Sequence, residues 1–232
     1  MRVVTYNIRG ALGMDGIRSL DRIAAAIRPL APDVVCLQEV HRLTFWGGMQ
    51  NQPAAIGRLL GMRVEFLSTF PMPLAGFGIA IASRYPITSV SRQLLPSLRE
   101  RRGSLEVMVA GDLGPTRIFC THLGLDEAER LRHAETVAGA IERKSGHVVV
   151  AGDFNEGGDG RVVKLFADRC GLVDAGEASD LPTYPSDAPQ TRIDFVLHSP
   201  DLSCKELFVA YSQASDHRPV LAVLGAPERH QG

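Results

Sequence analysis

The segment Val148-Val149-Val150-Ala151-Gly152-Asp153-Phe154-Asn155 joins a short apolar run to two polar side chains. The run 148–152 has the length and β-branched content of a strand that is buried in the middle of a sheet. Asp153 and Asn155 follow at the point where this strand ends. Ligand-binding and catalytic groups of α/β proteins collect at strand ends. The segment therefore predicts an α/β fold with ligand-binding or catalytic side chains along one sheet edge.

The rest of the chain repeats this alternation of strands and helices. Apolar runs predict strands over residues 3–8 and 34–40, and apolar residues spaced three or four apart, starting with Ile17, predict a helix over 17–30. Consecutive strand-like runs fill 63–110, and the longest helical pattern covers 126–143. Two mixed sheets that face each other, with helices on their outer faces, would bury this many strands.

The composition is that of an average globular protein, with 45% apolar and 22% charged residues among 232. No repeat or linker-like stretch interrupts it, which predicts a single domain over 1–225 and a loose tail over 226–232. Because 25 Lys and Arg residues balance 26 Asp and Glu residues, the charge does not indicate a nucleic-acid partner, although a local basic patch is compatible with it. No run approaches the ~18 apolar residues of a membrane-spanning helix.

Two features predict the compartment. The strand pattern begins directly after Met1, which leaves no room for a signal peptide. The cysteines show neither a CxxC pair nor zinc-finger spacing, which favours reduced thiols over disulfides or a zinc site. These cysteines are Cys36, Cys120, Cys170 and Cys204. We expect a cytoplasmic monomer with no obligate protein partner.

Further carboxylates, amides and imidazoles fall at the ends of apolar runs. They are Asn7, Glu39, His122, Asp194, Asp216 and His217. Taken singly, each is more typical of a turn, a surface charge or a structural histidine. Their joint occurrence favours a metal-assisted hydrolytic site, because oxygen donors suit Mg²⁺ or Mn²⁺ better than zinc.

Seven short motifs carry a resemblance to a known superfamily. In order they are Thr5-Tyr6-Asn7-Ile8-Arg9-Gly10, Leu37-Gln38-Glu39-Val40, Ala82-Ser83-Arg84-Tyr85-Pro86-Ile87, Thr121-His122-Leu123, Gly152-Asp153-Phe154-Asn155, Arg192-Ile193-Asp194-Phe195-Val196 and Ser215-Asp216-His217-Arg218-Pro219-Val220. Together they resemble the endonuclease/exonuclease/phosphatase superfamily of metal-dependent phosphoesterases, and in style they are closest to small bacterial hydrolases and sphingomyelinase-like members. The resemblance implies a four-layer α/β sandwich.

The resemblance also implies roles for the polar residues. Glu39 would be the principal ligand of Mg²⁺ or Mn²⁺, with Asn7 and Asp216 beside it. Asp153 and Asn155 would orient the attacking water and the phosphate oxygens.

The histidines receive separate implied roles. His217, paired with Asp194, would be a hydrogen-bonding or acid/base partner at the phosphate. His122 would contact the phosphate or its departing oxygen.

The predicted function is hydrolysis of a phosphodiester by in-line attack of water, with a small-molecule, lipid-headgroup or nucleic-acid substrate. A nuclease proper, a phosphomonoesterase and a catalytically silent phosphate-binding module remain open alternatives. Arg9 and Trp46 are candidate substrate contacts, since Trp46 lies on the loop that follows the Glu39 strand. The basic run 99–102 is interpreted as a solvated loop face, with contact of Arg101 and Arg102 to a polyanionic substrate as the less favoured alternative.

Overall fold

In the computed structural model, residues 1–70, 72, 74–143, 145–177, 179 and 181–227 are described, and they form two mixed six-stranded sheets. The first sheet has the order β11-β12-β1-β2-β4-β3, with β1 Arg2–Asn7, β2 Val34–Arg42, β3 Arg63–Ser68, β4 Gly76–Ser83, β11 Ser203–Val209 and β12 Val220–Gly225. The second has the order β5-β6-β7-β8-β10-β9, with β5 Ile87–Leu94, β6 Gly103–Gly111, β7 Gly114–His122, β8 His147–Asp153, β9 Val173–Asp174 and β10 Asp194–His198. The α-helices are α1 Leu20–Ile27, α2 Gln52–Leu60, α3 Glu127–Glu142 and α4 Arg161–Cys170.

Three apolar layers hold the sheets and helices together. Side chains of both sheets meet in a central layer, as Ile81 of β4 and Val107 of β6 illustrate. An outer layer packs α1 and α2 on the first sheet, and another packs α3 and α4 on the second. Helices, two facing sheets and helices therefore follow one another, which is the predicted four-layer α/β sandwich.

The first helix is shorter than its sequence pattern predicts. It begins at Leu20, because the Ser19 hydroxyl accepts the Arg22 N–H and caps the helix there, and a 3-10 turn follows it at Arg28–Leu30. Ile17 lies outside the helix and is exposed. The predicted apolar face at 20–27 is buried, but the predicted start at residue 17 is wrong.

A parallel strand pair lies in the middle of each sheet. In the first sheet β1 pairs with β2, so that Asn7 lies beside Gln38. In the second β7 pairs with β8, so that His122 lies beside Asp153. Since parallel strands end at the same edge of a sheet, both pairs deliver their last side chains to one edge each. The antiparallel strand β10 begins there too, with Asp194 opposite Asp153.

Gly152 permits the close approach of β7 to β8 immediately before the polar edge. A Cβ atom at this position would lie 2.0 Å from the carbonyl oxygen of Thr121. Only glycine therefore allows Asp153 to follow in register with His122.

Further expectations concern the C-terminal tail, the domain boundary, membrane-spanning helices and the cysteines. Residues 228–232 of the predicted tail lie outside the described residues, and the single-domain boundary stays a prediction. In the part of the chain that the structure describes, no helix has the length and apolar character needed to cross a membrane. All four cysteine thiols are free, and those of Cys36 and Cys120 are buried between the sheets.

Candidate active site

Asp153 lies at the centre of a buried polar cluster. Its Oδ2 atom is 3.0 Å from the Asn7 amide nitrogen, 3.4 Å from Nε2 of His122 and 3.7 Å from Nε2 of His217. Its Oδ1 atom accepts the backbone N–H of Asn155 at 2.9 Å. The two sheets thus meet at one carboxylate.

Burial makes this carboxylate a weaker acid than usual. Loss of solvent and the nearby charge of Asp194 raise the pKa of Asp153 to about 7, against the opposing effects of His217 and Asn7. A carboxyl group with a pKa near neutrality can exchange a proton at physiological pH, which is the property required of a general base.

Glu39 reaches the cluster through a β-bulge. Between Leu37 and Val40 the register of β2 against β4 shifts, and Glu39 adopts a positive φ of 55°. Bulges of this kind redirect a side chain at a sheet edge. The Glu39 carboxylate accepts a hydrogen bond from the Asn7 amide at 3.2 Å, so Asn7 links Glu39 to Asp153.

His217 is held by a carboxylate on its far side. Its Nδ1 atom is 2.9 Å from Oδ2 of Asp194, and both side chains are buried. Although burial disfavours the charged imidazolium, the charge and hydrogen bond of Asp194 outweigh it and raise the pKa of His217 to about 10. His217 is therefore cationic at neutral pH in the metal-free protein.

His122 has a different second partner. Its Nδ1 atom is 2.9 Å from an Nη1 nitrogen of Arg102, which is itself 6% exposed. Burial, and then the positive charges of Arg102 and His217, lower the pKa of His122 well below its usual value. This histidine is neutral.

Asp216 and Arg9 lie at the rim of the cluster. Arg9 Nε is 3.4 Å from Asp216 Oδ2, and both side chains are partly exposed. The Ser215 hydroxyl donates to the Asn7 carbonyl at 2.7 Å and contacts Oδ1 of Asp216 at 3.2 Å. This serine fixes the loop before β12 against the end of β1.

Asn155 takes part through its backbone and its amide. It has a positive φ of 54°, and its Nδ2 donates to the Leu123 carbonyl at 2.9 Å. The amide thus ties the loop after β8 to the loop after β7, next to Asp153.

Trp46 lies outside this hydrogen-bonded cluster. It belongs to a 3-10 turn at Phe45–Gly47, is 68% exposed and lines an apolar cavity of about 320 Å³. The other residues that line the cavity are His41, Thr44, Phe70, Phe77 and Glu100. Phe77 also borders a narrow gap together with Arg102 and His122, so the cavity adjoins the cluster.

Comparison with known proteins identifies the family. The model of the endonuclease/exonuclease/phosphatase family matches residues 4–217. The chain belongs to this family. Its members are metal-dependent phosphoesterases, nucleases among them.

The chain is also similar to a relative in Escherichia coli and to solved structures. The uncharacterized protein YbhP of Escherichia coli K12 is 28% identical over 213 residues, which span 83% of this chain and 82% of YbhP. The endonuclease/exonuclease/phosphatase structure from Beutenbergia cavernae has a TM-score of 0.81 and 25% identity, covering 97% of this chain and 71% of that one. A mannosyl-6-phosphatase from Bacteroides thetaiotaomicron shares the fold, with a TM-score of 0.80, 19% identity and coverage of 97% and 99%.

The donor set of this family member fits a divalent cation. Burial and the nearby charge of Asp216 raise the pKa of Glu39, so the two carboxylates repel each other. A hard cation bound by both would remove this repulsion. Asn7 directs its amide nitrogen toward Glu39, while its oxygen accepts the Arg9 N–H at 3.1 Å.

A second group of possible metal ligands includes two side chains that are hydrogen bonded to each other. One atom each of Asp153, Asp194 and His217 lies within 4.8 Å of the others. Asp194 and His217 are hydrogen bonded to each other, and Oδ1 of Asp194 is buried without a hydrogen-bond partner among the described residues.

Sequence reasoning missed the burial of Arg102 against His122, and it missed Tyr184 altogether. The run 99–102 was expected to be a solvated loop face, yet Arg102 is buried against His122, which corrects that expectation for this residue. The available signal was its position next to the buried strand β6. Tyr184 packs its ring against His217 at 4.9 Å, and no local pattern marks it.

Proposed function

We propose that this protein is a Mg²⁺- or Mn²⁺-dependent phosphodiesterase that hydrolyses its substrate by in-line attack of water. The supporting observation is the convergence of Asn7, His122 and His217 on one buried carboxylate oxygen of Asp153, beside Glu39 and Asp216. Such a cluster combines a proton acceptor, hydrogen-bond donors for phosphate oxygens and oxygen ligands for a cation.

The metal would be held by Glu39 and Asp216, with Asn7 beside them. When bound, it supplies positive charge that stabilises the negative charge of the phosphate and of the departing oxygen.

The chain's own residues would orient and move protons. Asp153 and Asn155 orient the water, and the carboxylate of Asp153 accepts its proton, which its pKa of about 7 permits at neutral pH. His217, kept cationic by Asp194, donates a hydrogen bond to a phosphate oxygen or a proton to the departing oxygen.

The pairing of the cationic side chains favours a diester over a monoester. Among the described residues next to the cluster, Arg9, Arg102 and His217 each already contact a carboxylate. A monoester carries up to two negative charges and a diester one, so a site whose cations are largely neutralised suits the diester.

Trp46 and its cavity are the proposed position of one ester group of the substrate. The cavity is apolar, adjoins His122 through Phe77 and exposes the Trp46 ring. Arg9 is the partly exposed ion-pair partner of Asp216, and it would contact the substrate at the rim of the cluster.

The experiment is metal add-back to stripped protein. Mg²⁺, Mn²⁺ or Ca²⁺ is returned, and hydrolysis of bis-p-nitrophenyl phosphate is compared with that of p-nitrophenyl phosphate. His217→Ala runs alongside to detect contaminating enzymes. Metal-dependent turnover of the diester that disappears in the variant supports the proposal. Turnover of the monoester in preference would make the protein a phosphomonoesterase, and inactivity on both would support a silent binding module.

The role of Glu39 has its own prediction. Glu39→Gln removes the charge of the principal ligand, so the metal concentration for half-maximal activity should rise by about 10-fold to 100-fold. The matched control is Glu142→Gln, which changes an exposed carboxylate of α3 that forms an ion pair with Arg169 of α4. An unchanged metal titration in Glu39→Gln would contradict the ligand role.

A further inference from the structure

Arg102 is buried although its guanidinium is charged. Its backbone is fixed on both sides, because its N–H donates to the Ser97 hydroxyl at 3.0 Å and its carbonyl accepts the Leu95 N–H at 2.9 Å. Its side chain is 7% exposed. A buried guanidinium is costly unless its contacts compensate the lost hydration, so these contacts are informative.

One nitrogen of the guanidinium makes two contacts. The Nη1 nitrogen is 2.9 Å from Nδ1 of His122 and 3.2 Å from a carboxylate oxygen of Glu100. Glu100 is half exposed and compensates the charge from the solvent side. The Nε atom of Arg102 is buried without a hydrogen-bond partner among the described residues.

The contact with His122 determines which imidazole nitrogen carries the proton. A guanidinium has five N–H donors, no acceptor and no deprotonated form in proteins. Nδ1 of His122 must therefore accept. In the neutral ring the proton is then on Nε2.

The opposite side of the imidazole agrees with this assignment. Nε2 of His122 is 3.4 Å from Oδ2 of Asp153. An N–H directed at a carboxylate oxygen is favourable, whereas a lone pair directed at an ionised carboxylate is repelled. When Asp153 is ionised, both ring nitrogens therefore favour the Nε2–H tautomer, and the contact with Arg102 favours it in either protonation state of Asp153.

We propose that Arg102 is a positioning residue that fixes His122 as the neutral Nε2–H tautomer, with its single N–H directed into the cluster at Asp153. In this tautomer His122 is a hydrogen-bond donor to whatever oxygen occupies the cluster. It has no lone pair on Nε2 and cannot act there as a general base.

This assignment deepens the proposed phosphodiesterase function and, for catalysis, rests on it. His122 would donate to a non-bridging or departing phosphate oxygen, and proton acceptance would be left to Asp153. Loss of Arg102 would leave the ring free to adopt the Nδ1–H tautomer, which presents a lone pair to the phosphate. The expected cost is therefore in turnover rather than in substrate binding.

The direct test is ¹⁵N-labelled metal-free protein, with two-bond correlation spectra of the imidazole rings. In the unmodified protein, His122, assigned by its absence from the spectrum of His122→Gln, should show the pattern of the Nε2–H tautomer. Arg102→Met keeps the apolar stem and removes the donors, and should give a mixture of tautomers. Arg99→Met, an exposed arginine of the same run, is the matched control and should leave the spectrum unchanged.

The kinetic arm uses the same variants on bis-p-nitrophenyl phosphate. Arg102→Met should lower kcat by a few-fold, and by no more than the loss of about 10-fold expected when His122 itself is removed, with KM nearly unchanged. Arg102→Lys supplies another donor without an acceptor and should retain the Nε2–H tautomer.

Several results would overturn the proposal. An Nδ1–H or doubly protonated His122 in the unmodified protein at neutral pH would refute it without any variant. So would Arg102→Met protein that folds and keeps both the tautomer and kcat. Because the spectra need no substrate, a protein that hydrolyses no diester but shows the Nε2–H tautomer would remove the proposed function and leave the assignment of Arg102 standing.

Discussion

The two histidines of the cluster lie close to the same carboxylate oxygen and differ in charge. His122 and His217 are each 5% exposed, and their Nε2 atoms lie 3.4 Å and 3.7 Å from the same oxygen of Asp153. Behind His122 is the guanidinium of Arg102, and behind His217 is the carboxylate of Asp194. The pKa of His122 is lowered well below its usual value by burial and then by Arg102, whereas burial is outweighed at His217 and its pKa is raised to about 10.

Burial and the shared carboxylate alone therefore do not account for the difference in charge, because both rings have them in common. The partner of Nδ1 is the main difference, and the charge of Asp216 near His217 and that of His217 near His122 act in the same directions. A carboxylate produces a cation that can neutralise developing negative charge, and an arginine produces a neutral donor with one fixed N–H. The site thus presents two different hydrogen-bond donors to one point.

Replacing each ring by alanine should separate the two roles most strongly. His217→Ala removes a cation and should lower kcat on bis-p-nitrophenyl phosphate by ~10²–10⁴-fold. His122→Ala removes one neutral hydrogen bond, worth about 1 kcal/mol, and should cost about 10-fold. Both variants are to be measured at saturating metal. Equal losses, or a larger loss at His122, would contradict the difference in charge.

Asp194→Asn neutralises the partner of His217 and also removes a charge that raises the pKa of Asp153. In the metal-free protein His217 holds its proton more tightly when folded, with a pKa of about 10, than when unfolded, near 6.5. Its stabilising contribution is thus complete below pH 6.5 and disappears as the pH rises through about 10. Urea unfolding across this range should show that loss in the unmodified protein and a smaller one in Asp194→Asn. A variant whose stability declines as steeply would argue against Asp194 as the source.

His133 offers a test of opposite sign away from the cluster. It is buried, Nδ1 accepts the Gly124 N–H at 3.3 Å and Nε2 contacts the Ser97 hydroxyl at 3.2 Å. Burial lowers its pKa to about 4, and the opposing charge of Glu129 does not offset this. The unfolded chain binds the proton first, so stability is complete above pH 6.5 and falls as the pH drops toward 4.

His133→Gln should flatten this acid limb, and this is the smallest effect expected. The amide can replace one of the two hydrogen bonds and does not titrate. Urea unfolding at matched pH values measures the change. If the acid limb of His133→Gln matches that of the unmodified protein, another group is responsible for it.

The sequence predicted the cluster because the ends of the strands can be recognised from where the apolar runs stop. Asn7, His122 and Asp153 are the last residues of β1, β7 and β8, and parallel pairing brings such ends together. The family motifs supplied the fold beyond that point. The direction in which Glu39 points was not visible, since it depends on a bulge whose partner strand begins at Gly76.

The partners of the histidines were only half predictable. The pair of Asp194 and His217 follows from the resemblance, whereas Arg102 was assigned to solvent because it ends a basic run. Its burial depends on contacts with His122, Ser97 and Leu95 that no periodicity encodes. The helix at Leu20 shows the same limit on a smaller scale, since the capping residue Ser19 overrode the apolar spacing.

The position of β1 between β12 and β2 affects when the site can exist during synthesis. Asn7 is synthesised before β12, which pairs with β1, and before the segment with Asp216 and His217. Nascent chains fold from the N-terminus as domains become complete. A truncated translation product that ends before residue 194 lacks both members of the Asp194–His217 pair and the β12 partner of β1, so it cannot assemble the cluster.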